Sequence, residues 1–217
     1  MYNKSEIEQK VAEFLLQIKA IKLQPNNPFT WASGLKSPIY CDNRITLSYP
    51  SIRTYLRQKL TELIQEEYGP AGVIAGVATA GIPQGVLVAQ EMGLPFIYVR
   101  ASAKDHGTGK LIEGEINPGQ RVVLVEDLIS TGKSSIQAID TLRDAGYEVA
   151  GLAAIFSYGF DIATQNFNNA KCKFKTLSNY SALIQYAALH NYISEADLKL
   201  LSDWSINPQE WGKEIVQ

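Results

Sequence analysis

The chain is short of cysteine and histidine, and it lacks any long hydrophobic run. Its 217 residues include two cysteines, Cys41 and Cys172, and two histidines. Two isolated cysteines are too few for a disulfide framework or a cysteine-rich metal site, and we expect two reduced thiols, with a single bridge as the alternative. The most apolar stretch, residues 71–83, is short, glycine-rich and ended by proline, which excludes a membrane span. No signal-peptide pattern opens the sequence, and a cytoplasmic protein is expected.

An excess of charge of one sign is also absent. The formal net charge is −2, so no basic field favours nucleic acid as a partner. Any anionic ligand must therefore be held by a local arrangement of groups. Hydrophobic residues make up 46% and charged residues 19% of the chain, which is typical of one globular domain and excludes disorder.

The hydrophobic pattern predicts an α/β fold with a central, mainly parallel sheet flanked by helices. Apolar runs at residues 73–77, 95–100, 121–126 and 147–156 alternate with helical patterns at 83–92 and 134–145, which is typical of βαβ units. Amphipathic patterns predict helices at residues 5–20 and 50–67. The segment 23–50 reads as irregular, with one short strand at 39–41. A helix near 160–169, a strand near 174–177 and two further helices follow.

The third predicted strand ends in two carboxylates that precede a loop rich in hydroxyl groups. Free amides at a helix N-terminus, a glycine and Ser/Thr hydroxyls suit a terminal phosphate. Adjacent carboxylates repel phosphate but suit hydrogen bonds to a diol, such as a ribose whose 5-phosphate lies in the loop. The stretch consists of Glu126, Asp127, Leu128, Ile129, Ser130, Thr131, Gly132, Lys133 and Ser134.

Two alternatives compete with this interpretation. Ser130 and Thr131 could simply cap the following helix, with the carboxylates meeting water at the end of the strand. Gly132, Lys133 and the next serine also match the end of a Walker A loop. That motif requires glycine five positions before Gly132, where the chain has Asp127, so an NTPase loop is disfavoured.

Two further groups of residues suit pyrophosphate. Arg100, Lys104 and His106 stand in a glycine-containing stretch after a predicted strand, and such a loop can close over an anionic leaving group. The alternative is a solvated basic turn. The turn at residues 78–81 can offer backbone amides, although a plain connection between strand and helix explains it almost as well.

These segments resemble a known family. Residues 122–135 resemble the phosphoribosyl pyrophosphate signature of the type I phosphoribosyltransferases. Residues 29–44 (FTWASGLKSPIYCDNR), 78–83 (ATAGIP) and 98–107 (YVRASAKDHG) resemble the orotate phosphoribosyltransferase family. The likeness covers about residues 10–205. It implies a type I phosphoribosyltransferase-like fold in a single domain, with a hood segment at about residues 21–48, a core at 50–180 and C-terminal helices at 179–213.

The resemblance implies transfer of a phosphoribosyl group from phosphoribosyl pyrophosphate to orotate, with Mg²⁺ held mainly by substrate and water. It also implies a homodimer with shared active sites. A purine phosphoribosyltransferase and a non-catalytic regulator that senses phosphoribosyl pyrophosphate are the alternatives. The implied catalytic residues are Lys104, His106 and Asp127. Phosphoribosyl pyrophosphate is assigned to Arg100, Lys104, His106, Glu126, Asp127, Leu128, Ile129, Ser130, Thr131, Gly132, Lys133 and Ser134, and orotate to Ser130, Tyr40, Lys36 and Arg44.

Four positions depart from the family pattern. Some orotate enzymes carry lysine where this chain has Ala32 and Ala80, and arginine where it has Tyr158. Lys133 stands where glycine is common in the signature. Because the lysines and the arginine are absent at all three positions, the resemblance implies a branch of the family with a rearranged pocket.

Overall fold

The computed structural model describes residues 4–31, 34–102, 110–115 and 117–211. The helices are α1 (Lys4–Gln17), α2 (Pro50–Tyr68), α3 (Gly81–Met92), α4 (Lys133–Asp144), α5 (Asp161–Asn169), α6 (Tyr180–Leu189) and α7 (Glu195–Ile206), with a 3-10 helix at Asn43–Ser48. The strands are β1 (Ile21–Leu23), β2 (Phe29–Thr30), β3 (Lys36–Ser37), β4 (Ile39–Cys41), β5 (Val73–Val77), β6 (Phe96–Val99), β7 (Ile112–Glu113), β8 (Arg121–Ile129), β9 (Glu148–Ser157) and β10 (Phe174–Asn179).

The described residues build one central sheet in the order β10-β9-β8-β5-β6-β7. All neighbouring pairs are parallel except β6 and β7, which are antiparallel. The predicted fold class, a mainly parallel sheet with helices around it, is confirmed. In such sheets ligands bind at the carboxyl ends of the strands. A ligand site is therefore expected where β5, β6, β8 and β9 end.

Both faces of the sheet are covered, as near-continuous apolar strands require. Side chains alternate along β8: Val123 and Val125 pack into the core that includes α1, α2 and α6, while Val122 and Leu124 pack into the core under α4 and α5. This two-sided burial fixes β8 at the centre of the molecule. Its carboxyl end is therefore held rigidly relative to the helices that follow each strand.

Strand β8 extends further than the sequence predicts. The expected end at Glu126 is wrong, because β8 stays paired with β9 as far as Ile129 opposite Ser157. Pairing with β5 on the other side stops at Val125 opposite Gly76. The two carboxylates therefore lie within a strand that is paired on one side only.

The hood segment carries two small antiparallel pairs, β1 with β4 and β2 with β3. Sequence predicts the strand at residues 39–41 but none of its partners, because strands of two or three residues are too short to show periodicity. The 3-10 helix Asn43–Ser48 then leads into α2. In the residues that the structure covers, no helix is long and apolar enough to cross a membrane.

Candidate active site

The centre of the site is the carboxyl pair on β8. Glu126 is 5% exposed, and its Oε1 accepts a 3.1 Å hydrogen bond from the backbone N of Asp127. Burial, followed by the charge of Asp127, raises the pKa of Glu126 well above its ordinary value. Burial also raises the pKa of Asp127. Neither carboxyl group has a salt-bridge partner within the described ranges, an arrangement typical of a ligand site.

Helix α3 begins directly against these acids. A Cβ atom on Gly81 would collide with the carbonyl oxygen of Val125 and crowd Glu126, so only glycine permits this approach. The turn before the helix contains a cis Ala78–Thr79 peptide bond, and the N of Ala78 donates to the carbonyl of Val99 at 2.9 Å. The turn predicted to offer amides to pyrophosphate thus lies beside the carboxyl pair.

A chain of buried hydrogen bonds ties the hood segment to β8. Asn43 Nδ2 donates to the main-chain oxygen of Asp127 at 2.7 Å. Thr46 Oγ1 donates to the carbonyl of Asn43 at 2.6 Å, and Gln84 Nε2 on α3 donates to Thr46 Oγ1 at 3.2 Å. All three side chains are fully or nearly fully buried. Sequence reasoning missed this set, because nothing local indicates a contact between residues 84 positions apart.

The predicted phosphate loop connects β8 to α4. Gly132 occupies the N-cap position with a left-handed φ of 78°, and no side chain of the described residues caps the helix. The alternative in which Ser130 and Thr131 serve as helix caps is therefore wrong. A Cβ on Gly132 would also stand 2.8 Å from the ring of Phe167. The amides of the first helical turn remain available for an anion.

The loop encloses an open cavity of about 370 Å³. Thr131, Lys133 and Ser134 are exposed there, while Ser135 is buried and its hydroxyl has no partner in the described chain. Sequence reasoning did not assign Ser135 to the site. Its position in the first turn of the helix that follows the loop could have indicated it. The cavity is lined by Leu128, Ser130, Thr131, Gly132, Lys133, Ser134, Ser135 and Gln137.

The predicted cationic loop begins at the same edge of the sheet. Arg100 follows β6, and its guanidinium lies 3.5 Å from the carboxylate of Glu113 on β7. Gln137 Nε2 on α4 donates to the carbonyl of Ala101 at 3.1 Å, which places this edge beside the phosphate helix. Lys104 and His106 lie outside the described residues, so their roles stay predictions.

Three of the four residues predicted for orotate, Lys36, Tyr40 and Arg44, lie on the hood segment, whereas Ser130 lies in the phosphate loop. The ring of Tyr40 packs 5.7 Å from that of Phe29, and Lys36 Nζ donates to Thr30 Oγ1 at 2.8 Å. Arg44 forms a bidentate pair with Asp42, with contacts of 2.7 and 2.9 Å. The hydrogen bonds from Arg44 lower the pKa of Asp42. Ala32 lies outside the described residues.

An aromatic cluster lies between the hood segment and the C-terminal helices. The ring of Tyr158 lies 5.3 Å from Trp31, 5.4 Å from Phe160 and 6.0 Å from Trp204. Trp204 is completely buried. Trp31 Nε1 donates to the carbonyl of Ile39 at 3.2 Å. Tyr158 therefore joins the end of β9 to the hood segment.

Comparison with known proteins agrees with this geometry. Residues 47–189 match the model of the phosphoribosyl transferase domain. Orotate phosphoribosyltransferase of Bacteroides thetaiotaomicron is 55% identical over 205 residues, covering 94% of this chain and 97% of that protein. The Listeria innocua enzyme of the same name is 51% identical over 207 residues, covering 95% and 99%.

The fold comparison gives the same family. The crystal structure of orotate phosphoribosyltransferase from Aeropyrum pernix aligns with a TM-score of 0.73 at 26% identity, covering 85% of this chain and 99% of that one. The Bacteroides and Listeria enzymes, at 55% and 51% identity over nearly their whole length, give the same family. The chain belongs to the phosphoribosyltransferase family and, within it, to the orotate phosphoribosyltransferases.

Proposed function

We propose that the chain transfers the phosphoribosyl group of phosphoribosyl pyrophosphate to N1 of orotate, giving orotidine 5-phosphate and pyrophosphate for pyrimidine nucleotide synthesis. The observation that carries the proposal is the carboxyl pair of β8, with Glu126 buried and Asp127 half-buried, next to a helix N-terminus that no described side chain caps. A phosphorylated sugar fits both parts together, since the backbone amides can donate hydrogen bonds to its phosphate and its ring hydroxyls can donate to the carboxylates.

The phosphate loop would hold the 5-phosphate through backbone amides and hydroxyls. Lys133, at the first position of α4 and exposed in the cavity, would add positive charge. Glu126 and Asp127 would accept hydrogen bonds from the ribose hydroxyls. The backbone of Leu128 and Ile129 would position the phosphate loop next to the ribose. Residues Ser130 to Ser134 would contact the 5-phosphate.

The pyrophosphate group would lie on the β5–β6 side of the carboxyl pair. The turn at residues 78–81 would offer the amides that follow Ala78, whose own N already donates to Val99, and Arg100 would add a guanidinium from the end of β6. Lys104 and His106 are proposed to complete the cationic set from the loop that follows. Their charges would stabilise the negative charge that builds up as pyrophosphate leaves.

A magnesium ion would be held mainly by the substrate and water, since Mg²⁺ commonly binds through one or two carboxylates, phosphate oxygens and water. Asp127 offers a carboxylate beside the proposed pyrophosphate position. When bound, the ion would supply positive charge to the leaving group.

The orotate ring would lie under the hood segment. Ser130 would border this space from the phosphate loop, and Tyr40, which is exposed on β4, would border it from the hood segment. Lys36 and Arg44 are proposed to offset the charge of the orotate carboxylate, with Arg44 shared with Asp42.

The reaction would be a direct displacement at C1 of the ribose. The bond from C1 to the pyrophosphate oxygen breaks and its electron pair leaves with pyrophosphate. N1 of orotate forms the new bond to C1, and its proton passes to water. Positive charge on the sugar ring in the transition state would be stabilised by the carboxylates of Glu126 and Asp127, which have no cationic partner of their own among the described residues.

The decisive test is spectrophotometric loss of orotate with phosphoribosyl pyrophosphate and Mg²⁺, with adenine and hypoxanthine as control bases. Consumption of orotate alone supports the proposal. Consumption of a purine instead would assign the chain to a purine phosphoribosyltransferase. Binding of phosphoribosyl pyrophosphate without consumption of any base would assign it to a sensing protein.

A second test addresses Lys104. Neutralising Lys104 in a Lys104→Ala variant is expected to lower kcat by about 100-fold or more, because one stabilising cation is removed from the leaving group. The melting temperature should change little. Lys110→Ala is a matched control, since Lys110 is an exposed lysine at the other end of the same segment. Full activity of the Lys104→Ala protein would refute the role.

We also propose a homodimer in the cytoplasm, with the loop around Lys104 completing the partner's site. The proposal rests on the family resemblance. Sedimentation analysis at assay concentration tests the dimer. Mixing the Lys104→Ala protein with a Glu126→Gln protein tests the shared site, because hybrid dimers regain one intact site only if the loop acts across the interface.

A further inference from the structure

Helix α5 contacts the phosphate loop through two consecutive residues. Asn166 Nδ2 donates to the main-chain oxygen of Thr131 at 2.9 Å. The ring of Phe167 approaches Gly132 so closely that a Cβ atom on the glycine would stand 2.8 Å from it. The cavity at the loop is lined by the end of β8, the loop itself and α4, and by no described residue of α5. Asn166 and Phe167 therefore contact the loop from outside the proposed phosphate site.

Three carbonyl groups of the loop accept hydrogen bonds from the protein itself. Those of Ile129 and Gly132 each accept from a backbone N, at 3.0 and 2.9 Å. The third, on Thr131, accepts from the side chain of Asn166. A carbonyl oxygen carries partial negative charge, so a loop that binds an anion has to turn such oxygens away from it and turn N–H groups toward it. At Thr131 this orientation depends on one side chain.

The carbonyl of Thr131 also fixes the direction of an amide. The C=O and N–H of a trans peptide lie in one plane and point in opposite directions. Because the oxygen of Thr131 is turned toward α5, the N–H of Gly132 points away from α5. The cavity lies along the loop and α4, so this N–H is directed to the side on which an anion would bind.

Glycine at position 132 makes this orientation reversible. Turning over the peptide between Thr131 and Gly132 would change the φ of Gly132 from 78° to a negative angle, which glycine adopts as readily. The oxygen of Thr131 would then face the cavity and repel phosphate. The approach of Phe167 leaves no room for a side chain at position 132, so a stiffer residue type cannot remove this freedom. A donor outside the loop is needed to hold one orientation.

We propose that Asn166 is a positioning residue for the 5-phosphate of phosphoribosyl pyrophosphate. Its amide holds the carbonyl of Thr131 away from the cavity and thereby directs the N–H of Gly132 to the phosphate. The inference rests on the proposed function, and it adds a residue of α5 that the family resemblance does not assign to the site. Because Asn166 acts through the loop alone, its effect is confined to the phosphate end of the substrate.

The kinetic test compares three variants on α5. Asn166→Leu removes the donor and keeps a similar size, and it should raise the KM for phosphoribosyl pyrophosphate roughly tenfold, the scale of one hydrogen bond to a charged group. The KM for orotate and kcat should stay within about threefold, because the 5-phosphate does not react and is bound alike before and during the reaction. Asn166→Gln keeps the amide and should restore most of the affinity. Asn168→Leu, at an exposed position of the same helix, is the matched control and should change none of these constants.

Calorimetric titration with ribose 5-phosphate measures the same contact without turnover. Binding to the Asn166→Leu protein should be roughly tenfold weaker than to wild type. Its melting temperature should stay close to that of wild type, because the bond to Thr131 is exposed and water can replace the lost donor.

Two results would overturn the assignment of Asn166. One is an affinity of the Asn166→Leu protein for ribose 5-phosphate equal to that of wild type. The other is an Asn166→Gln protein that binds as weakly as Asn166→Leu. Absence of orotate turnover in the wild-type protein would instead refute the proposed function, and the titration with ribose 5-phosphate would still decide the role of Asn166.

Discussion

Replacing Glu126 by glutamine removes a negative charge from a buried position with little change in shape. The amide oxygen of glutamine can still accept the hydrogen bond that Glu126 Oε1 receives from the N of Asp127. Burial and the charge of Asp127 both disfavour the ionised form of Glu126 in the folded protein. The folded state of the ligand-free enzyme therefore gains from the substitution, whereas the unfolded chain is hardly affected.

The expected gain in the free energy of unfolding is about 1–2 kcal/mol near pH 7.5, within the range common for single stabilising substitutions. For a chain of this size it corresponds to a rise in melting temperature of about 2–8 °C. In the same variant kcat should fall by about 100-fold or more, because a carboxylate that stabilises the cationic sugar has become neutral.

The dependence on pH identifies the cause. Folded Glu126 holds its proton to a higher pH than the unfolded chain, in which glutamate has a pKa of about 4.3. The unfolding free energy of the wild type therefore falls as the pH rises above about 4.3, until folded Glu126 is itself ionised. The glutamine variant lacks this contribution, so its advantage should be absent near pH 4 and grow toward neutral pH.

Urea denaturation of the ligand-free proteins at several pH values measures this difference, alongside kcat. Glu148→Gln is a suitable control, since Glu148 lies on neighbouring β9 in an exposed pair with Arg121, and it should change stability and kcat little. A Glu126→Gln protein less stable than wild type at pH 7.5, or an advantage independent of pH, would refute the reasoning.

Two further substitutions test the neighbouring groups. Gly81→Ala should lower the free energy of unfolding by about 1–3 kcal/mol in urea denaturation, because its Cβ collides with the backbone of β8. Gly72→Ala, where a Cβ makes ordinary contacts, should stay within about 0.5 kcal/mol, and equal losses would contradict the packing argument. Lys133→Ser should raise the KM for phosphoribosyl pyrophosphate about 3- to 10-fold without changing kcat or melting temperature, and the difference should shrink at high salt. An unchanged KM would remove Lys133 from the site.

Much of the core could be predicted from sequence because its signals are local. The strand at Val73–Val77 is a five-residue apolar run between turn residues, and prediction and structure agree at both ends. Gly132 was recognisable as the glycine of a phosphate loop, and its left-handed φ accounts for it. In each case a few consecutive residues contain the whole physical reason for the local structure.

The remaining features depend on contacts between distant segments. The extension of β8 to Ile129 depends on the length of β9. The hydrogen bond from Asn43 to Asp127 and the ring contact between Tyr158 and Trp31 both depend on the three-dimensional placement of the hood segment. No hydrophobic period or turn motif indicates such contacts. The roles of Lys104 and His106 stay predictions from sequence.

Asn43 contacts Asp127 through the main-chain oxygen and not through the carboxylate. Every residue type offers a main-chain oxygen, whatever its side chain. A substitution of the acid at position 127 therefore leaves the attachment of the hood segment intact. Chemistry and architecture can therefore diverge independently in descendants of this protein. A relative that has lost its acids, and with them its activity, would still fold with the hood segment in place, and shape alone would not distinguish it from a working enzyme.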